Sequence, residues 1–249
     1  MNAIILCAGR GMRLGALTAH TPKPLLPLGG QPILSYTVRW LAAAGIKTLF
    51  VNLHYRGEMI ERYFGDGSRW GVSITYLREP KLLGSAGTVR TLAAQLTEAF
   101  LVIYGDNLIG CALPKLLAAH QQHGGVSTMA LFHRDDVSMS GVVSLGADDR
   151  IQGFIEKPSP QAVPSHWTNA GVLVCEPSLL SRIPAQAPCD FGHDCFGRWL
   201  AQGLPLYGYR MGSDEPLVWI DTPEDYARAQ QHPWVLNRME PPPVQRVAT

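Results

Sequence analysis

Short apolar runs alternate with helix-length amphipathic segments along the first hundred residues, and no other property of the chain constrains its fold as strongly. Ala3–Leu6, Thr48–Leu53, Ser73–Leu77 and Phe100–Tyr104 have strand character, and Ser127–Phe132 and Gly171–Val174 repeat it further on. Between the first of them lie helical patterns at Ile33–Ala44, closed by Gly45, at Glu58–Phe64, closed by Gly65, and at Ala86–Leu96. Strands apolar on both sides must be covered on both sides. The alternation therefore predicts an α/β fold, a mostly parallel sheet with helices on both faces. Ser140–Ser144 and Ile151–Ile155, on either side of Asp148-Asp149, predict a small antiparallel hairpin region.

With 249 residues the chain can form one large core, and we expect a single domain over residues 1–236. From 237 to 249 there is no apolar period and Pro241-Pro242-Pro243 intervenes, which predicts a flexible C-terminal tail. The formal charge is +1 and no five like charges run together, so there is no electrostatic footprint for nucleic acid or an anionic membrane. Any phosphate binding must therefore be local. The apolar stretch at Ala3–Ala8 breaks at Gly9, too early for a signal peptide or a membrane span, and the expectation is a cytoplasmic protein. Five cysteines without a CxxC pair point to reduced thiols used in packing, and Cys189, His193 and Cys195 match no common zinc spacing.

A local phosphate site is offered by Cys7-Ala8-Gly9-Arg10-Gly11-Met12-Arg13-Leu14-Gly15, directly after the first strand. Its glycines let backbone N–H groups approach a phosphate, and Arg13 adds charge. A dinucleotide fingerprint would need glycine where Leu14 stands, and a P-loop would need Gly-Lys-Ser/Thr, which is missing. Pro22, Pro24, Pro27 and Pro32 stiffen the segment that follows into a long ordered loop, and Lys23 is held between two of them. Ordering a flexible cation costs entropy, so a proline-stiffened loop is a sensible way to aim Lys23 at an anion. On the residues alone, a tight structural turn and a surface lysine in a rigid loop remain open.

Leu6–Pro27 resembles the signature of the sugar-1-phosphate nucleotidylyltransferases, a Gly-rich turn, Arg-Leu and then Pro-Lys-Pro. The resemblance continues in order through Leu83-Gly84-Ser85-Ala86-Gly87-Thr88, Tyr104-Gly105-Asp106-Asn107, Glu156-Lys157-Pro158, Asn169-Ala170-Gly171 and Asp221-Thr222-Pro223-Glu224-Asp225-Tyr226. It implies a Rossmann-like sheet of the nucleotide-diphospho-sugar transferase type. It also implies transfer of a nucleoside monophosphate from a nucleoside triphosphate to a sugar 1-phosphate, with Mg²⁺ as cofactor and pyrophosphate as the second product. Within that resemblance Leu6, Ala8, Gly9, Gly11, Arg13, Lys23, Leu83, Gly84 and Gly87 would bind the nucleotide. Asn107, Glu156, Lys157, Asn169 and Gly171 would bind the sugar phosphate. Asp106 and Asp221 would hold the metal, and Arg13, Lys23, Asp106 and Lys157 would carry the chemistry.

The implied chemistry is coherent. Joining two anions calls for charge neutralisation, and the sugar phosphate oxygen is itself the nucleophile, so no Ser–His–Asp arrangement is required. One departure stands out: Trp219 occupies the place where the family often has its second metal-binding aspartate, and Asp221 stands two residues later, where Asp221 or Thr222 could instead cap a helix. Gly65–Arg69 and Asp190–Asp194 look most like the guanylyltransferase branch, which implies GTP with mannose or heptose 1-phosphate. Uridylyl transfer to an amino-sugar 1-phosphate is the alternative. A noncatalytic nucleotide-binding regulator is the alternative of another class, motivated by Trp219. The letters leave monomer and homodimer equally open. His54, His120, His123, His133 and His193 share no ligand spacing and read as packing or surface residues, and Trp40, Trp70, Trp199 and Trp219 as core or interface aromatics.

Overall fold

The computed structural model describes residues 1–237, so the tail expected from 237 onward lies, except for Asn237, outside the described residues. Strands follow as β1 (Asn2–Leu6), β2 (Pro27–Leu28), β3 (Gln31–Pro32), β4 (Thr48–Leu53), β5 (Ser73–Arg78), β6 (Phe100–Tyr104), β7 (Leu108–Ile109), β8 (Ser127–His133), β9 (Gly141–Leu145), β10 (Ile151–Glu156), β11 (Trp167–Cys175), β12 (Leu206–Arg210) and β13 (Leu217–Val218). The α-helices are α1 (Ile33–Ala43), α2 (Gly57–Phe64), α3 (Ser85–Thr91), α4 (Leu113–His123), α5 (Gly197–Ala201), α6 (Pro223–Gln230) and α7 (Pro233–Asn237). A π-helical segment at Phe191–Phe196 runs directly into α5.

The main sheet has the order β10-β9-β11-β6-β1-β4-β5, with β8 paired to β11 and β12 to β8. From β6 to β5 every pair is parallel, and Ala3 of β1 stands in register with Leu49 on one side and Leu101 on the other. Alternate β1 residues serve opposite faces. Ala3 and Ile5 join α1, α2 and α4 through Val38, Leu41, Ile60, Phe64 and Leu116, whereas Ile4 joins α3, the π-helical segment and α5 through Val89, Phe191, Phe196 and Trp199. This two-sided burial is what the apolar run of β1 demands. Beyond β6 the sheet turns antiparallel: β11 pairs with β6 at Val172↔Ile103, and β9 with β10 as the expected hairpin. The β11 ladder with β8 shifts register between Asn169 and Leu173, where Gly171 takes a φ of 80°.

Two expectations are adjusted by packing. The helix expected over Ala86–Leu96 holds α geometry only to Thr91, then tightens into i→i+3 turns (Leu92 N to Val89 O, Gln95 N to Leu92 O) that still bury Leu92 and Leu96. The proline-stiffened segment is ordered by short 3-10 turns and the β2–β3 pair, and its Leu14, Leu26 and Leu28 form a small separate core with Leu108, Val218 and Ile220. That core brings together three stretches of chain distant in sequence, each of which carries a charged residue of the site.

Candidate functional site

Lys23 is only 4% exposed, and its Nζ lies 2.9 Å from Asp106 Oδ2 and 3.2 Å from Asp221 Oδ1. Arg13 Nη2 stands 3.1 Å from the same Asp221 oxygen. Two cations and two carboxylates from the glycine loop, the proline loop, the end of β6 and the start of α6 thus form one balanced cluster. Gly11 has a φ of 63°, and a Cβ there would press against Lys23 Cβ and Thr18 Cγ2, both at 3.1 Å, so glycine lets the loop close over the lysine. Thr222, not Asp221, caps α6: its hydroxyl accepts from Asp225 N while Asp225 accepts from Thr222 N, a complete capping box. Asp221 is left free to face Asp106 across Lys23. Trp219 lies under the Arg134 guanidinium, 5.2 Å from its ring centroid. Asp221, two residues on, is the carboxylate of this stretch that reaches Lys23.

Beside this cluster a cleft of about 570 Å³ opens at the carboxyl ends of β1, β4, β5 and β6, where open α/β sheets place their ligands. Its floor is a buried polar network. Asn52 Oδ1 accepts from Cys7 N (2.6 Å) and Ala8 N (3.2 Å), and Asn52 Nδ2 donates to Glu79 Oε1 (2.8 Å) and Thr88 Oγ1 (3.1 Å). Thr88 Oγ1 donates to Glu79 Oε1 at 2.5 Å, and Leu83 N donates to Glu79 Oε2 at 3.0 Å. One carboxylate and one amide thereby fix the first residues of the glycine loop against the Leu83-Gly84 turn. Burial pushes the Cys7 thiol up, and the nearby charge of Asp106 adds to the effect, so it is a packing thiol, not a nucleophile.

On the opposite wall stand Ser85, Tyr104, Pro188 and Asp190. Burial pushes the Tyr104 hydroxyl up; a hydrogen bond with Ser85 opposes this, and the charges of Glu156, Asp190 and Asp106 add to it. Glu156 Oε2 lies 2.5 Å from where a Cβ on Gly192 would sit, so a side chain there would push the carboxylate aside. Lys157 holds a φ of 49°, in the left-handed region that lysine seldom adopts, with its N–H donated to Ser140 O and its side chain exposed.

Of the residues expected in the site, Leu6, Ala8, Gly9, Lys23, Gly84 and Asp106 line the cleft, and Arg13 and Asp221 join it through Lys23. Gly84 has a φ of 78°, and a Cβ there would fall on the Cys189 backbone, so the approach it permits is of chain to chain. Gly87 donates its N–H to Cys189 O, and Leu83 O accepts from Cys189 N. Asn107 is buried and its Oδ1 accepts from Ile220 N at 3.1 Å, which positions the chain just ahead of Asp221. Asn169 Oδ1 accepts from Gly171 N at 2.9 Å, shaping the β11 irregularity beside Tyr104. Asn52 was missed by sequence reasoning, and Ser85, Thr88 and Tyr104, though inside the recognised motifs, were given no role. Asn52 gives the clearest signal, a polar residue near the carboxyl end of an otherwise apolar strand.

The five cysteines are free and buried, and among the described residues no group of three or more His, Cys, Asp or Glu side chains is gathered for a metal. Mg²⁺ does not need such a cage, because it takes one or two carboxylates and completes its shell with phosphate oxygens and water. Asp106 and Asp221 fit that pattern: a single ammonium already bonds to both, so their oxygens converge on one cation position. No helix among the described residues is long and apolar enough to cross a membrane.

A nucleotidyl transferase family model matches residues 2–232. Mannose-1-phosphate guanylyltransferase of Mycobacterium tuberculosis is 34% identical over 92% of this chain and 63% of its own. UTP–glucose-1-phosphate uridylyltransferase of Synechocystis is 32% identical over 89% of this chain and 60% of its own. The chain thus spans less than two thirds of the length of these curated relatives. Among solved structures, a Bacillus anthracis protein in complex with sucrose superposes with a TM-score of 0.82 at 23% identity, covering 92% of this chain and 94% of that one. HddC from Yersinia pseudotuberculosis, complexed with GMP-PN, superposes with a TM-score of 0.77 at 20% identity, covering 92% and 97%. At these identities the likeness is one of fold.

Proposed function

We propose that this chain, which belongs to the nucleotidyl transferase family, transfers a nucleoside monophosphate from a nucleoside triphosphate to a sugar 1-phosphate and releases pyrophosphate, with GTP and mannose or heptose 1-phosphate as substrates. The observation that carries the reading is the Lys23 cluster, in which two carboxylates and two cations meet at the mouth of a cleft built on the glycine loop. The M. tuberculosis relative, a mannose-1-phosphate guanylyltransferase, supports the guanylyl branch.

Each residue then has a task set by its position. Backbone N–H groups of Gly9–Gly11 and the cations Arg13 and Lys23 bind the triphosphate and stabilise charge that gathers on it as pyrophosphate leaves. Asp106 and Asp221 hold Mg²⁺, which supplies further charge neutralisation at the phosphates when bound. Lys157 pairs with the sugar phosphate, and Glu156, Asn169 and Gly171 shape the sugar side. The incoming phosphate oxygen attacks without a side-chain nucleophile, so positioning and electrostatics supply the rate.

Glu79 favours guanine. Its carboxylate lies in the cleft floor, where Oε1 accepts from Asn52 and Thr88 and Oε2 accepts from Leu83 N alone, and a carboxylate oxygen can accept from a second donor. Guanine presents N1–H and the N2 amino group side by side, whereas uracil presents one N–H between two carbonyl oxygens. A guanine edge would give this carboxylate two donors and a uracil edge one, which supports the guanylyl branch over the uridylyl alternative. The noncatalytic alternative rested on Trp219, and the convergence of Asp106 and Asp221 on Lys23 supports the catalytic reading over it.

Pyrophosphate release is the decisive assay, with Mg²⁺ and each of GTP, UTP, CTP, ATP and dTTP against hexose, heptose and N-acetylamino-sugar 1-phosphates. Release requiring GTP together with mannose or heptose 1-phosphate is the expected result. Release with UTP and an amino sugar would select the alternative, and nucleotide binding without release on any combination would overturn the transferase reading.

A further inference from the structure

The glycine loop is poorly constrained by its own backbone. Gly9, Gly11 and Gly15 follow one another closely, and Gly15, with a φ of 54° and no atom near its side-chain position, interrupts the 3-10 turns of Met12–Thr18. Backbone N–H groups bind a phosphate best when their positions are fixed before it arrives. A contact from outside the loop has to supply that order.

Tyr55 and Arg56, between β4 and α2, make such a contact. Tyr55 Oη donates to Thr18 O at 3.0 Å and to Ala19 O at 2.9 Å, one hydroxyl shared between the two carbonyls that close the 3-10 turns. Arg56 Nε donates to the same phenol oxygen at 3.0 Å, and Arg56 Nη2 reaches Ala19 O at 3.4 Å. A phenol that accepts from a guanidinium is a better donor in its turn. Thr18, only 5% exposed, passes the constraint on, because its Oγ1 donates to Gly11 O at 3.0 Å and to Gly15 O at 3.3 Å. The clamp is itself anchored to the cleft floor, where His54 Nδ1 donates to Glu79 O at 2.8 Å. Arg56 holds a φ of 50°, in the left-handed region that arginine seldom adopts, and this strained backbone brings its guanidinium and Tyr55 to the loop together.

We propose that Tyr55 and Arg56 are positioning residues for the triphosphate: through Thr18 they hold the glycine loop in the form whose N–H groups meet the phosphates. This rests on the nucleotidyl transfer reading above.

The test compares wild-type protein with Tyr55→Phe in pyrophosphate release, using the accepted triphosphate and sugar 1-phosphate. Phenylalanine keeps the ring that Arg56 covers, 5.5 Å from its centroid, and removes only the hydroxyl. KM for the triphosphate should rise about 5- to 15-fold, the loss expected for a hydrogen bond of ordinary strength. KM for the sugar phosphate should stay within about twofold, since the clamp acts on one substrate. Thr18→Val should raise the triphosphate KM in the same way, and Thr18→Ser, which keeps the hydroxyl, should stay within about twofold of wild type. In the double variant Tyr55→Phe with Thr18→Val the two effects should not multiply, because both hydroxyls lie on one line of contact. An unchanged triphosphate KM in Tyr55→Phe, an equal rise in both KM values, or effects that multiply in full would overturn the proposal. Should Tyr55→Phe melt markedly lower than wild type, Arg56→Gln replaces it: the triphosphate KM should rise about 2- to 5-fold with the sugar KM unmoved, and an unchanged triphosphate KM overturns the proposal. A wild type that turns over no sugar phosphate removes the transferase reading and this proposal with it. A working wild type with an unaffected Tyr55→Phe removes the clamp alone.

Discussion

Lys23 faces opposite demands from folding and from the proposed chemistry. A nearly buried ammonium is tolerated because Asp106 and Asp221 both bond to it, and in the proposed transfer the same charge would stabilise a departing pyrophosphate. Lys23→Ala should therefore lower kcat by about 100-fold or more, measured with saturating substrates, while the melting temperature moves by only a few degrees. Normal kinetics with a lower melting temperature would make the lysine purely structural. Asn52 offers the converse case. Its amide satisfies Cys7 N and Ala8 N and donates to Glu79, all in a buried setting. Asn52→Ala strips those partners and should cost about 3 kcal/mol, seen as a fall in melting temperature of about 6–12 °C, with a raised KM for the triphosphate. A melting temperature within about 2 °C of wild type would mean that water or a shifted loop replaces the amide. The two residues were not equally legible. Lys23 stands in a short contiguous pattern of prolines. Asn52, Glu79 and Thr88 are 27 and 36 residues apart from the first to each of the others and meet only because β4, β5 and α3 bring them to one end of the sheet.

At the scale of elements, α6 shows how a helix start serves a site it does not line. Thr222 starts the helix with a capping box and Pro223 sets its first turn, so the direction of Asp221, one residue earlier, is fixed by the cap. Thr222→Ala should destabilise the protein by about 1 kcal/mol and lower turnover as well, because the Asp221 carboxylate loses its bearing. A fall in stability with full activity would separate the cap from the site. The pH dependence has a definite sign. Burial raises the Asp225 carboxyl, but hydrogen bonds from Thr222 and Arg228 outweigh it and hold the group below its ordinary value. The stabilisation is therefore present above the unfolded pKa, about 3.9, and disappears as pH falls through the lower folded value. The stability gap between wild type and Thr222→Ala should narrow in that acid window without closing, because the bond from Asp225 N to the Thr222 hydroxyl does not depend on the charge of the carboxylate. The helix start was readable from Thr-Pro-Glu-Asp. The β7–β13 pair, which positions the stretch before it, joins residues more than a hundred positions apart in strands of two residues each, too short to leave a pattern in the sequence.

Across the whole molecule, the sheet divides the work. The parallel half, β6 to β5, carries the glycine loop, Asn52 and Glu79, and the antiparallel half carries Glu156 and Asn169 on β10 and β11. The parallel half could be read from alternating strands and helices. The antiparallel half could be read only as a hairpin, because β12 inserts beside β8 from a distant part of the chain and pairs parallel to it. Both halves share β6 and two apolar clusters that meet across β1, so ligands on either side stabilise one structure. Mg²⁺ with GTP at about 100 times its Kd should contribute about 2.7 kcal/mol, a rise in melting temperature of about 5–11 °C for a domain of this size. Asp106→Asn should melt close to wild type without ligand, since it keeps its volume and an acceptor for Lys23, and should lose most of the increment that depends on Mg²⁺. An undiminished metal-dependent rise in Asp106→Asn would place the cation elsewhere and leave Asp106 as the counter-ion of Lys23 only.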